Sequence, residues 1–117
     1  MTREELAEFN IGENLDQLMN LDPRGYGVCR ILYAGSRSYT GEALTMHCAK
    51  ALDKLLKEGD VVVLITGFIL WPHRHPETDG IVSTVLLARG LVQAYGVTPV
   101  IVCPSENAAS IGEMVQY

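Results

Sequence analysis

Apolar positions Leu6, Phe9, Leu15, Leu18 and Met19 recur at helical spacing across residues 2–21, while Asn10 and Gly12 interrupt them. The pattern predicts two short helices. Residues 22–27 read Asp-Pro-Arg-Gly-Tyr-Gly and predict a loop. Residues 28–34 form a brief apolar run that periodicity alone assigns either to a short strand or to a helical turn. Over residues 40–58, Leu44, Cys48, Ala51, Leu52 and Leu55 fall on one helical face, with Thr40 placed to cap the start and Gly59 to end it. Residues 60–66, DVVVLIT, are β-branched without alternation, the pattern of a strand buried on both faces of a parallel sheet. A second helix is expected over residues 80–95, on the face formed by Val82, Val85, Leu86, Ala88, Leu91 and Val92. Thr78 or Asp79 is its expected cap, and Gly96 closes it. Residues 98–103 predict the next strand, and Pro104-Ser105 opens a further helix.

A strand, a crossover helix and a second strand of one sheet connect right-handedly, so the two strands should run parallel. Their C-terminal ends then share an edge with residues 66–67, 71–79 and 104–107, the side on which open α/β folds bind ligands. The expected fold is α/β, a Rossmann-like three-layer unit with a short parallel sheet, forming a single domain over residues 1–117. Two strands make a marginal sheet. The chain is therefore expected to be the N-terminal part of a larger domain, to pair with another copy, or to recruit residues 28–34 as a strand.

Composition narrows the class of partner. The 117 residues are 48% hydrophobic and 20% charged, which suits an ordinary globular core. The apolar run over residues 61–70 stops far short of the roughly 20 residues that span a membrane. The start, MTREELAEF, lacks the basic patch and apolar stretch of a secretory signal. Three cysteines, Cys29, Cys48 and Cys103, without C-x-x-C spacing suit a reducing compartment, so a cytoplasmic location is expected. A net charge of -5 with scattered basic residues argues against a nucleic-acid partner. A small carboxylate or amino-acid ligand remains open through a local arginine or a helix N-terminus.

The densest chemistry lies in His73-Arg74-His75-Pro76-Glu77-Thr78-Asp79. Pro76 favours extended geometry before it, and an extended chain sets His73, His75, Glu77 and Asp79 on one side. Such a row suits acid/base or substrate-orienting work by Glu77 or Asp79, and less specifically a metal at His73 and His75. The plainer alternative is a solvated charged loop. Asp79 also has a capping role open to it, and the amides around Gly80 form a positive helix end for a carboxylate. Gly67 allows close backbone approach to a ligand or simply relieves crowding. Arg24 is a candidate anion anchor. Neither G-x-G-x-x-G nor G-x-x-x-x-G-K-[ST] occurs, so no nucleotide and no cofactor is expected.

The run ITGFILWPHRHPETDG resembles the C-terminal domain of D-glutamate cyclase-like proteins, formerly a domain of unknown function. The resemblance rests on Thr66-Gly67-Phe68 ending a strand, on Pro76 to Gly80 leading into a helix, and on the LARGL segment from Leu87 to Leu91. Asp22, Arg24 and Gly25 match an upstream Asp/Arg-Gly element and extend it over most of the chain. It implies cyclisation of D-glutamate to 5-oxo-D-proline with loss of water, a carbon–oxygen lyase reaction. Glu77 and Asp79 would then move protons as catalytic residues. Arg24, Thr66, Gly67, Thr78 and Gly80 would bind substrate. The family domain is longer and accompanies a separate N-terminal domain, so a missing companion domain or a homo-oligomer is expected. The alternatives are a noncatalytic Rossmann-like small-anion-binding or assembly module and a metal-dependent hydrolase using His73, His75 and Glu77.

Overall fold

The computed structural model describes residues 1–72 and 74–116. The chain divides into two compact units, Met1–Leu55 and Leu56–Tyr117.

The first unit is helical: α1 (Arg3–Met19), α2 (Val28–Thr40) and α3 (Leu44–Leu55). Thr2 opens α1 with a reciprocal capping box, its Oγ1 accepting from Glu5 N at 3.2 Å while Glu5 Oε2 accepts from Thr2 N at 2.7 Å. The helix runs unbroken through Asn10 and Gly12, against the expectation of two helices. Gly12 serves tertiary packing there, because a Cβ on it would lie 3.0 Å from both Ala43 Cβ and Met46 Cβ. Residues 28–34, open between strand and helix by periodicity, are the first half of α2. Thr40 ends α2 instead of capping the next helix, its hydroxyl donating to Glu42 O at 2.8 Å.

The cap of α3 comes from α1. The Asp16 carboxylate, only 2% exposed, accepts from Leu44 N at 2.6 Å and Thr45 N at 2.9 Å. It also accepts from the Thr45 hydroxyl at 2.7 Å and from the Tyr33 hydroxyl of α2 at 3.0 Å. One buried carboxylate thus joins all three helices. Arg37, paired with Glu13, stands 3.9 Å from Asp16 and adds a nearby positive charge.

The second unit is mixed α/β. Strand β1 (Val61–Ile65) leads through the hairpin β2 (Ile69–Leu70) and β3 (His75–Pro76) into α4 (Thr78–Tyr95), then β4 (Thr98–Val102) and α5 (Ser105–Met114). β1 and β4 pair in parallel, Val61 opposite Thr98 through Ile65 opposite Val102, as the crossover rule predicts. Pro99 lacks an amide proton and is tolerated because β4 lies at a sheet edge. Ile81 and Val85 of α4 pack with Ile111 of α5 against Ile101, Cys103 and Met114. Cys103 is therefore part of the apolar packing. Burial alternates along both strands, and Val61, Val63, Ile65, Val100 and Val102 are exposed. The expectation of a strand buried on both faces is corrected: helices of this unit cover one face, so only every second side chain is shielded.

Candidate functional site

The site forms where β1 and β4 end. Thr66 extends the ladder, its amide donating to Val102 O at 3.0 Å, and its hydroxyl donates to Gly80 O at 3.0 Å. This second bond ties the start of α4 to the end of β1. Gly80 suits that contact, since a Cβ there would lie 3.1 Å from Thr66 Oγ1. Gly67 follows at φ +107°, where a Cβ would lie 2.3 Å from Pro104 Cδ and 2.7 Å from Asn107 Nδ2. Only glycine fits. Three segments therefore converge: residues 66–67, the first turn of α4, and residues 104–107.

Helix α4 begins two residues before the expected Gly80, and Glu77 is its N-cap residue. The expectation that Asp79 or Thr78 caps the helix is corrected. Residues 75–76 pair antiparallel with β2 and the Glu77 amide donates to Phe68 O at 2.9 Å, so Thr78 is the first residue free to turn. Asp79, inside the first turn, accepts from Gly80 N at 2.7 Å. The period-two row is corrected for the same reason: His75 and Glu77 are extended, whereas Asp79 is helical. His73 lies outside the described residues. Glu77, Thr78, Asp79 and His75 are all exposed.

Charge is mixed along this edge. Arg74 Nη2 lies 3.0 Å from Glu106 Oε1, linking the hairpin turn to the first turn of α5. The Glu106 carboxyl is held below the usual carboxylate range by its own backbone amide and the Ser105 hydroxyl, then by Arg74, against partial desolvation. The first-turn amides of α4 and α5 supply positive partial charge, while Glu77 and Asp79 supply negative charge. That combination suits a small zwitterion, whose carboxylate and ammonium make opposite demands. Among the described residues, no three His, Cys, Asp or Glu side chains stand together as metal ligands.

Sequence reasoning placed residues 104–107 at this edge without singling out Asn107. Asn107 is 0% exposed, and neither Nδ2 nor Oδ1 has a hydrogen-bond partner among the described residues. In sequence it looks like any polar residue in a helix's first turn. Its burial arises only in the fold, where its Nδ2 lies against Gly67 at the strand end.

Arg24 lies exposed in the first unit, in a loop held by Asp22, whose Oδ2 accepts from Gly27 N at 2.5 Å. A cavity of about 570 Å³ lies within the same unit, walled by Met19, Leu32, Cys48, Ala49 and Leu52. Asp16, Tyr33 and Thr45 on its wall are committed to the α3 cap. It carries little chemistry.

No curated protein and no solved structure matches the chain. A family model described as D-glutamate cyclase-like, C-terminal, matches residues 15–117.

Proposed function

Because the chain belongs to the D-glutamate cyclase-like C-terminal family, we propose that it binds D-glutamate at the β1/β4 edge and closes it to 5-oxo-D-proline. The family match over residues 15–117 carries this reading, and the mixed charge of the edge supports it.

The reaction joins the α-amino nitrogen to the side-chain carboxyl carbon and expels one carboxyl oxygen as water. The amine must be neutral to attack, and the departing hydroxyl must receive a proton. Glu77 and Asp79 stand two residues apart at the mouth of α4 and are the proposed acid/base pair. Two protons leave the nitrogen, one from the ammonium before attack and one from the addition intermediate, and two reach the departing oxygen, which leaves as water. One carboxylate of the pair takes the nitrogen protons in turn and the other carboxyl delivers them to the oxygen, with exchange through solvent resetting the pair between the two transfers. The first-turn amides of Thr78 and Asp79 receive the α-carboxylate, since the Gly80 amide is already held by Asp79 Oδ1. Thr66 keeps the strand end tied to the helix start through its bond to Gly80 O. Arg24, the anion anchor that the resemblance implies, belongs to the other unit.

The test is incubation with D-glutamate, following lactam formation by NMR. Turnover by the wild type is expected, with Glu77→Gln and Asp79→Asn each slowing it by roughly 10²- to 10⁴-fold while leaving the melting temperature near wild type. Ligand-induced stabilisation without turnover would assign the chain to a noncatalytic binding module instead.

A further inference from the structure

We propose that Asn107 reads the amide-like edge of the ligand, its carboxamide pairing through both N–H and C=O with a lactam or a protonated carboxyl group. The proposal rests on the amino-dicarboxylate reading above.

The argument starts from an imbalance. Asn107 is 0% exposed, yet both Nδ2 and Oδ1 lack hydrogen-bond partners among the described residues. Folded proteins seldom keep such a group without a reason, because each unpaired buried donor or acceptor forfeits its hydration. Its place gives the reason. Nδ2 lies against Gly67, 2.7 Å from where a Cβ of that residue would stand, at the strand edge where α4 and α5 both begin.

The two orphan atoms also specify their partner. Nδ2 needs an acceptor and Oδ1 needs a donor. A carboxylate offers acceptors only and would leave Oδ1 unpaired. A cis-lactam presents C=O and N–H side by side, as does a protonated carboxyl with C=O and O–H, so either completes a two-bond ring with a carboxamide. Those are the groups at the reacting end of a cyclising glutamate. Because the carboxamide is covered, the ligand reaches it when the Gly67 turn parts from Pro104. Gly67, without a side chain and at φ +107°, is the residue best able to absorb that change.

The experiment measures binding of 5-oxo-D-proline and its N-methyl derivative by calorimetry and thermal shift to the full chain and its Asn107→Leu and Asn107→Asp variants. The N-methyl derivative lacks the lactam donor. Wild type is expected to prefer the unmethylated lactam at least tenfold. Both variants are expected to lose that preference, with Asn107→Leu melting no lower than wild type in the absence of ligand. If either folded variant keeps the wild-type preference, the partner of Asn107 is water or backbone and the proposal is overturned, while the amino-dicarboxylate reading stands. If wild type binds D-glutamate and both lactams equally, the proposal alone fails. If it binds none of them, the reading fails and the proposal with it.

Discussion

The Asp16 carboxylate shows how one side chain sets the stability of its surroundings. Burial alone pushes its pKa up, but the Thr45 amide and hydroxyl, the Leu44 amide and the Tyr33 hydroxyl outweigh that and hold it at about 2, below the ordinary 3.8. A folded-state pKa below the unfolded one means that the carboxylate's contribution is complete above the unfolded value and is lost as pH falls through the folded one. Melting followed by far-UV circular dichroism should therefore fall between about pH 4 and pH 2 more steeply in wild type than in Asp16→Asn, which cannot titrate. Parallel pH profiles would contradict the capping role. At neutral pH, Asp16→Ala should cost on the order of 3 kcal/mol in urea denaturation, because it orphans two helix amides and two hydroxyls together. The same accounting separates Asp16 from Asn107: the first is buried with every partner supplied by the chain, the second with none among the described residues.

At the scale of elements, two glycines decide how closely segments approach. Gly12 lies mid-helix, where glycine costs about 1 kcal/mol relative to alanine, yet α1 stays continuous because the missing side chain lets it meet the start of α3. Gly67 has the stricter role. A Cβ there would lie 2.3 Å from Pro104 Cδ in a backbone conformation that L side chains avoid. Gly67→Ala should destabilise the second unit by on the order of 3 kcal/mol. The expected signature is faster amide hydrogen exchange in β1 and α5 than in α1. Equal protection in wild type and variant would show that the strand end relaxes without cost. The hairpin acts at the same scale: pairing of β2 with β3 fixes where α4 can start, and so brings Glu77 to its cap and Asp79 into its first turn.

At the scale of the molecule, the parallel sheet has one face covered by its own helices and one lined by exposed valines and isoleucine. Val63 is 57% exposed and Val85 is 5% exposed, so the same residue type should respond oppositely to substitution. Val63→Lys is expected to change stability by no more than about 0.5 kcal/mol, whereas Val85→Ala should cost roughly 2 kcal/mol. A large loss in Val63→Lys would mean that the exposed face is covered in solution. Much of the architecture was legible beforehand because it depends on short-range chemistry. The run DVVVLIT, the glycine stop at Gly96 and the crossover length are enough to give β1, α4 and a parallel β4. The family was legible too, since Thr66-Gly67-Phe68 and Pro76 to Gly80 are contiguous in the chain. What the sequence left open depends on partners far along it. Tertiary packing alone decided that Asp16 caps α3 from 28 residues away, that the run from Val28 folds as helix, and that one sheet face stays exposed. It also decided that Asn107 is buried at the strand edge. Local propensity measures a residue against its neighbours in the chain, whereas burial and hydrogen-bond satisfaction are set by whichever groups the fold brings alongside.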